Sequence, residues 1–174
     1  MLERYKALIA RQYEAALCML NACVKCCPDE HWHGPVVRLK FCQVAFHTLF
    51  FTDVYLSEDL ESTYAQPFHQ QHKSIFADYE EVGGGWQQAT YEKKLIHEYL
   101  AHCRKRVREI VEAEDEASLA RVAGHDWISL TRDELHVYNL RHIHHHAAQL
   151  SLHLRALTGE GIPWVGSGWR EFAP

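Results

Sequence analysis

Residues 131–159 read TRDELHVYNLRHIHHHAAQLSLHLRALTG, and their spacing governs how the rest of the chain is read. Leu140, Ile143, Ala147, Leu150, Leu154 and Leu157 recur at steps of three and four, which places them on one face of an α-helix. The opening Thr131-Arg-Asp-Glu134 matches a capping box, in which a Thr and a Glu three residues on close the first turn reciprocally. Thr158-Gly159 ends the pattern, since Gly suits the left-handed residue just beyond a helix. A long helix with one apolar stripe needs other elements to cover that stripe.

Outward from this segment the same period recurs. Leu2, Tyr5, Ile9, Tyr13, Ala16, Leu20 and Val24 form the stripe of a first helix, which Pro28 ends. Gly34-Pro35 restarts the chain, and a second helix is predicted from Pro35 to about Ser57. A third is predicted after Thr90 as N-cap, with Ile96, Leu100, Cys103, Val107 and Ile110 inward. Strand-like alternation is absent. The fold class is therefore all-α: a four-helix bundle forming a single domain over residues 1–174. The short link between helices one and two predicts antiparallel neighbours. The stretch 58–90 is long enough to run back along the bundle, so helices two and three are expected to be parallel, joined by a crossover. Its Tyr64, Phe68, Phe76, Tyr79 and Trp86 surround Gly83-Gly84-Gly85, and two roles are open: a cap on the core, or a lid hinged at the glycines.

Composition narrows the function. The 174 residues are 47% hydrophobic and 24% charged, as in ordinary globular domains. A net charge of −5 with no long basic face argues against nucleic acid as a partner, because phosphate neutralisation dominates such binding. The start Met1-Leu-Glu-Arg-Tyr-Lys6 has no secretory apolar core, and the most apolar stretch, 44–56, is too short to span a bilayer. No membrane association is expected. The six cysteines (18, 23, 26, 27, 42 and 103) are read as reduced thiols in a cytoplasmic protein. Histidine is the outlier, at 14 residues, and it raises the question of metal.

His142 and His146 lie one turn apart on one side of helix four, so their imidazoles can converge on one point with the backbone already set. His145 points away from the core and His144 lies at its other edge. A third ligand must come from another helix. His47 sits in the middle of helix two, flanked by Val44, Phe51 and Val54, where a lone imidazole is poorly solvated. An antiparallel pairing brings it level with His146. Three neutral imidazoles leave an ion with open positions, the layout of a reactive site.

At these residues the sequence resembles the DinB-like superfamily of metal-binding four-helix bundles, which is distinct from the polymerase of that name. That family has a His midway along helix two and a helix-four motif close to H-x-x-H-H-R-G-Q-L. The matching residues are His47 and His142-Ile-His-His145-His146-Ala-Ala-Gln149-Leu150, with Ala147-Ala148 where the family often has Arg-Gly. The resemblance extends to the long crossover, the capped fourth helix and the Trp-rich tail. It implies His47, His142 and His146 as ligands of a divalent metal: zinc or nickel first, with iron or manganese as further options. It also implies a metal-dependent enzyme of the thiol S-transferase or hydrolase-like type, acting on a small molecule and using a low-molecular-weight thiol or water. Gln149, beside the ligand face, is the expected orienting residue. The alternative is a metal- or small-ligand-binding stress protein without turnover.

Competing motifs are weaker. Cys23, Cys26 and Cys27 with His31 and His33 lack the paired C-x-x-C spacing of a zinc ribbon. A di-iron site needs two Glu-x-x-His motifs on the helices, which the predicted helices lack, and no lysine follows the glycines to make a phosphate loop. Helix two is also apolar on its far side, at Cys42, Ala45, Leu49 and Leu56. That pattern predicts a homodimer through helix two, unless the crossover covers it.

Overall fold

Pro28 follows the end of the first long helix and Gly159 the end of the last, and four long helices in all make up the bundle. The computed structural model describes residues 1–76 and 79–171; positions 77–78 of the crossover and 172–174 of the tail lie outside the described residues. The helices are α1 (Leu2–Cys26), α2 (Phe41–Leu56), α3 (Lys93–Ala113) and α4 (Arg132–Thr158). On α4 the capping box forms as read, and Gly159 takes a φ of 79° beyond the last turn.

Two helix starts differ from expectation. Helix two begins at Phe41 rather than Pro35. Residues 34–41 instead fold on themselves: Val36 N–H donates to Leu39 O at 2.8 Å and Phe41 N–H to Gly34 O at 2.9 Å. Those backbone groups are satisfied in a turn, and the helix starts where Gln43 can cap the Lys40 N–H at 2.9 Å. Helix three begins at Lys93, with Glu92 rather than Thr90 at the N-cap. The residues before it are pinned by side chains from elsewhere, Trp32 donating to Tyr91 O at 2.7 Å and Gln43 to Ala89 O at 2.8 Å.

Cross-helix bonds establish the topology. Asn139 donates to Thr52 O at 2.9 Å, and Arg132 caps the end of α2 by donating to Leu56 O at 2.7 Å and Ser57 O at 3.0 Å, so α4 runs antiparallel to α2. Tyr13 meets His136 at 3.2 Å, and the Cys23 thiol meets Ala147 O at 3.5 Å, making α1 parallel to α4. Lys6 on Glu112 O and Arg104 on Glu14 make α1 antiparallel to α3. The contacts of Phe46 with Tyr99 and of Leu49 with Cys103 make α2 parallel to α3, as the long crossover predicted. Each of α1 and α2 therefore packs on both α3 and α4, and direct contact between α1 and α2 is slight. The expected neighbours are antiparallel but diagonal. The linker makes this possible: its helical turn Asp29–Trp32 crosses the bundle end and buries Trp32 against Phe41 at 5.6 Å.

α2 is the most enclosed element. Cys42, Ala45, Leu49 and Leu56 are fully buried within the one chain. Phe76 and Tyr79 of the crossover join the core, with Phe46–Phe76 at 5.5 Å and Phe50–Tyr79 at 4.3 Å between ring centres. Tyr91 stacks on Phe46 at 3.8 Å. The far face of α2, on which a homodimer was expected, is thus covered by α3 and the crossover, so its apolar character needs no second subunit. Among the described residues no helix is long and apolar enough to cross a membrane.

Candidate metal centre

The antiparallel pairing of α2 and α4 brings His47 level with His142 and His146. One ring nitrogen from each lies within 4.8 Å of the others. The Nε2 atoms of His47 and His142 are 3.4 Å apart, and ring centres are separated by 4.6 Å (His47–His146) and 4.7 Å (His142–His146). A tetrahedral zinc ion with bonds of about 2.0–2.1 Å holds two ligand nitrogens about 3.4 Å apart, so the pair already stands at coordination spacing. Ile143 and Ala147, both fully buried, lock the helix-four register that aims the other two rings.

Outer contacts orient the rings. His47 Nδ1–H donates to Glu81 Oε2 at 2.5 Å, and the Tyr79 hydroxyl donates to the same oxygen. His146 Nδ1–H donates to Gln149 Oε1 at 2.9 Å, and the Gln149 amide reaches back to His145 at 3.0 Å. A ring whose Nδ1 carries the proton presents a bare Nε2, the lone pair a metal needs. The Nδ1 of His142 is buried without a protein partner.

The electrostatics favour neutral rings. Burial, with the neighbouring His146 and His47, lowers the His142 pKa to about 2. Burial and His47 lower that of His146 to about 4. Glu81 is opposed by burial, yet the hydrogen bonds from His47 and Tyr79 hold its carboxyl below the usual range. The centre thus combines three converging imidazoles, two of them held neutral by burial, with one carboxylate behind His47. It opens on a cavity of about 610 Å³ bounded by the 34–41 turn, α2, the crossover and α4, and lined by His47, His146, Gln149 and Glu81 together with apolar side chains.

The sequence reading placed His47, His142, His146 and Gln149 together, and the structure brings all four together. His145 is exposed and outside the trio, and His144 lies against Trp164, with ring centres at 6.3 Å. His142 is the more buried of the pair, because Phe51 and Tyr55 enclose it. Glu81 was missed. It lies far from both helices in sequence, and nothing in its spacing marks it.

A second group was also missed. Asp53 Oδ2 accepts from His69 Nε2–H at 2.8 Å and His102 Nε2–H at 3.2 Å, while Oδ1 accepts from Gln66 at 3.2 Å beside Arg106 at 3.6 Å. These donors hold the Asp53 carboxyl well below its usual range against the cost of burial. Its charge is already answered by Arg106, and both of its oxygens are engaged. The group is a clamp that ties the crossover and α3 to α2. Among the described residues these are the two His/Cys/Asp/Glu groups close enough to share an ion; Cys23, Cys26 and Cys27 form no third with His31 or His33.

Compared with known proteins, the chain matches no family model, no curated protein and no solved structure, so the likeness to DinB-like bundles rests on its own histidine motif, His47 and the helix order.

Proposed function

We propose that this chain is a metal-dependent enzyme of the DinB-like kind, acting on a small molecule held in the cavity beside His47, His142 and His146. One observation carries the reading: three imidazoles from two helices converge, two of them hydrogen-bonded outward through Nδ1, at the wall of a cavity sized for a small ligand. When bound, a divalent ion such as zinc or nickel supplies a Lewis acid that lowers the pKa of water or a thiol toward neutrality. The chain's own part is positioning. Glu81 fixes the His47 tautomer and places a negative charge behind it, and Gln149 does the same for His146 without a charge. The apolar walls offer contact to the body of a small ligand. All three imidazoles belong to one chain, so the centre is complete without a second subunit. The reaction class that follows is thiol S-transfer or hydrolysis.

Elemental analysis of untagged protein tests the centre. About one divalent ion per chain is expected, lost on His47→Ala, His142→Ala or His146→Ala and kept on His145→Ala. Metal retained in all four variants would refute it. A screen of low-molecular-weight thiols against electrophiles, and of simple esters and amides, tests turnover. A metal-loaded protein inert throughout would be a binder instead.

A further inference from the structure

The cavity beside the histidines is asymmetric in chemistry. Most of its wall is apolar: Val36, Val37, Leu39, Val44, Leu152 and Ala156. Two of these are large side chains left in water, Val37 at 91% and Leu152 at 70% exposure. Exposed apolar groups around a concavity lower the free energy when an apolar body covers them. Arg38 is the only lysine or arginine among the described lining residues. Its guanidinium carbon lies 3.6 Å over the centre of the Trp86 ring. Stacking fixes the guanidinium plane and leaves its in-plane N–H groups pointing outward, a fork that matches a carboxylate. Among the described residues no carboxylate pairs with Arg38, and Glu81, the acidic residue of the same wall, is engaged by His47 and Tyr79.

We infer that the cavity takes an amphipathic carboxylate: the anionic head on the Arg38 fork, the apolar body against Val37, Leu39, Leu152 and their neighbours. The reacting end of such a ligand faces His47 and His146, and that last element alone rests on the metal reading. Trp86 acts as the platform that holds the fork in place. A neutral ligand of the same length would keep the apolar contacts and lose the fork.

Isothermal titration with octanoate and octanol tests this on metal-loaded wild type, on wild type treated with a chelator, and on Arg38→Met. Arg38 is exposed, so the variant keeps the fold, which circular dichroism checks. Octanoate is expected to bind wild type more tightly than octanol. Arg38→Met should weaken octanoate about tenfold or more while leaving octanol unchanged, since a charge-assisted fork is what it removes. Chelation should leave the Arg38 dependence intact. Equal binding of the two probes, or octanoate binding unmoved by Arg38→Met, overturns the inference. Octanoate binding lost on chelation but not on Arg38→Met places the carboxylate on the metal and also overturns it. Failure of the metal reading shows separately, as untagged protein that takes up no divalent ion when one is supplied yet binds octanoate through Arg38.

Discussion

Asp53→Asn is the sharpest test of how the crossover is held. Asp53 is fully buried and its two oxygens face donors on both sides: His69 and His102 at Oδ2, Gln66 and Arg106 at Oδ1. An amide keeps one oxygen and turns the other into a donor. Whichever way it is flipped, an N–H group meets either the two imidazoles or the Gln66 amide, and Arg106 loses its counter-charge. Leaving a buried donor unpaired costs about 1–3 kcal/mol, and breaking a buried ion pair costs about 3–5 kcal/mol. The two figures describe overlapping atoms, so about 4 kcal/mol is expected rather than their sum. That is a large share of a typical total of about 5–15 kcal/mol. At about 2–4 °C per kcal/mol for a chain of this size, the melting temperature should fall by about 8–16 °C. Urea unfolding and calorimetry at pH 7 measure both quantities. Metal content should stay at the wild-type level, because Asp53 faces α3 and the crossover whereas His47 faces α4. A loss below about 1 kcal/mol would refute the clamp.

The remaining predictions concern the metal centre and the core. Because burial holds His142 and His146 neutral in the fold, the unfolded chain binds protons that the folded chain refuses below pH 6.5. Metal-free protein should therefore lose about 2 kcal/mol between pH 6.5 and 5.5 from these two groups, about 1 kcal/mol each because the unfolded imidazoles are already half protonated at the start, and more from His97, His125 and His144, which shift the same way. Urea titrations at both pH values check it, and a flat profile contradicts it. Glu81→Gln should weaken metal binding about 10–100-fold in a chelator competition while helicity is kept; unchanged affinity would end its orienting role. Leu49→Glu should unfold the chain rather than split an assembly, since Leu49 is sealed under Cys103 of α3. A stable, folded Leu49→Glu protein in sedimentation and melting experiments would show that this face is open.

Helix periodicity and the steps of three and four are local properties, so four helices, the capping box at Thr131 and the stop at Gly159 were legible in the chain itself. The same rigidity made the histidine trio legible. A helix fixes the relation of His142 to His146 without reference to anything else, and a central His47 on an antiparallel helix had one level at which to meet them. Which helices became neighbours was not local. The chain carried no period that put α1 diagonal to α2; in the fold Trp32 is buried at the bundle end and α2 packs between α3, α4 and the crossover. Glu81, the Asp53 clamp and the Arg38–Trp86 wall were likewise invisible, because each joins segments distant in sequence through a few hydrogen bonds or a ring contact. Such contacts have no repeat to read. They come into reach only after long-range packing has paid the entropy of closing the loops between them, and so the tertiary structure alone decided them.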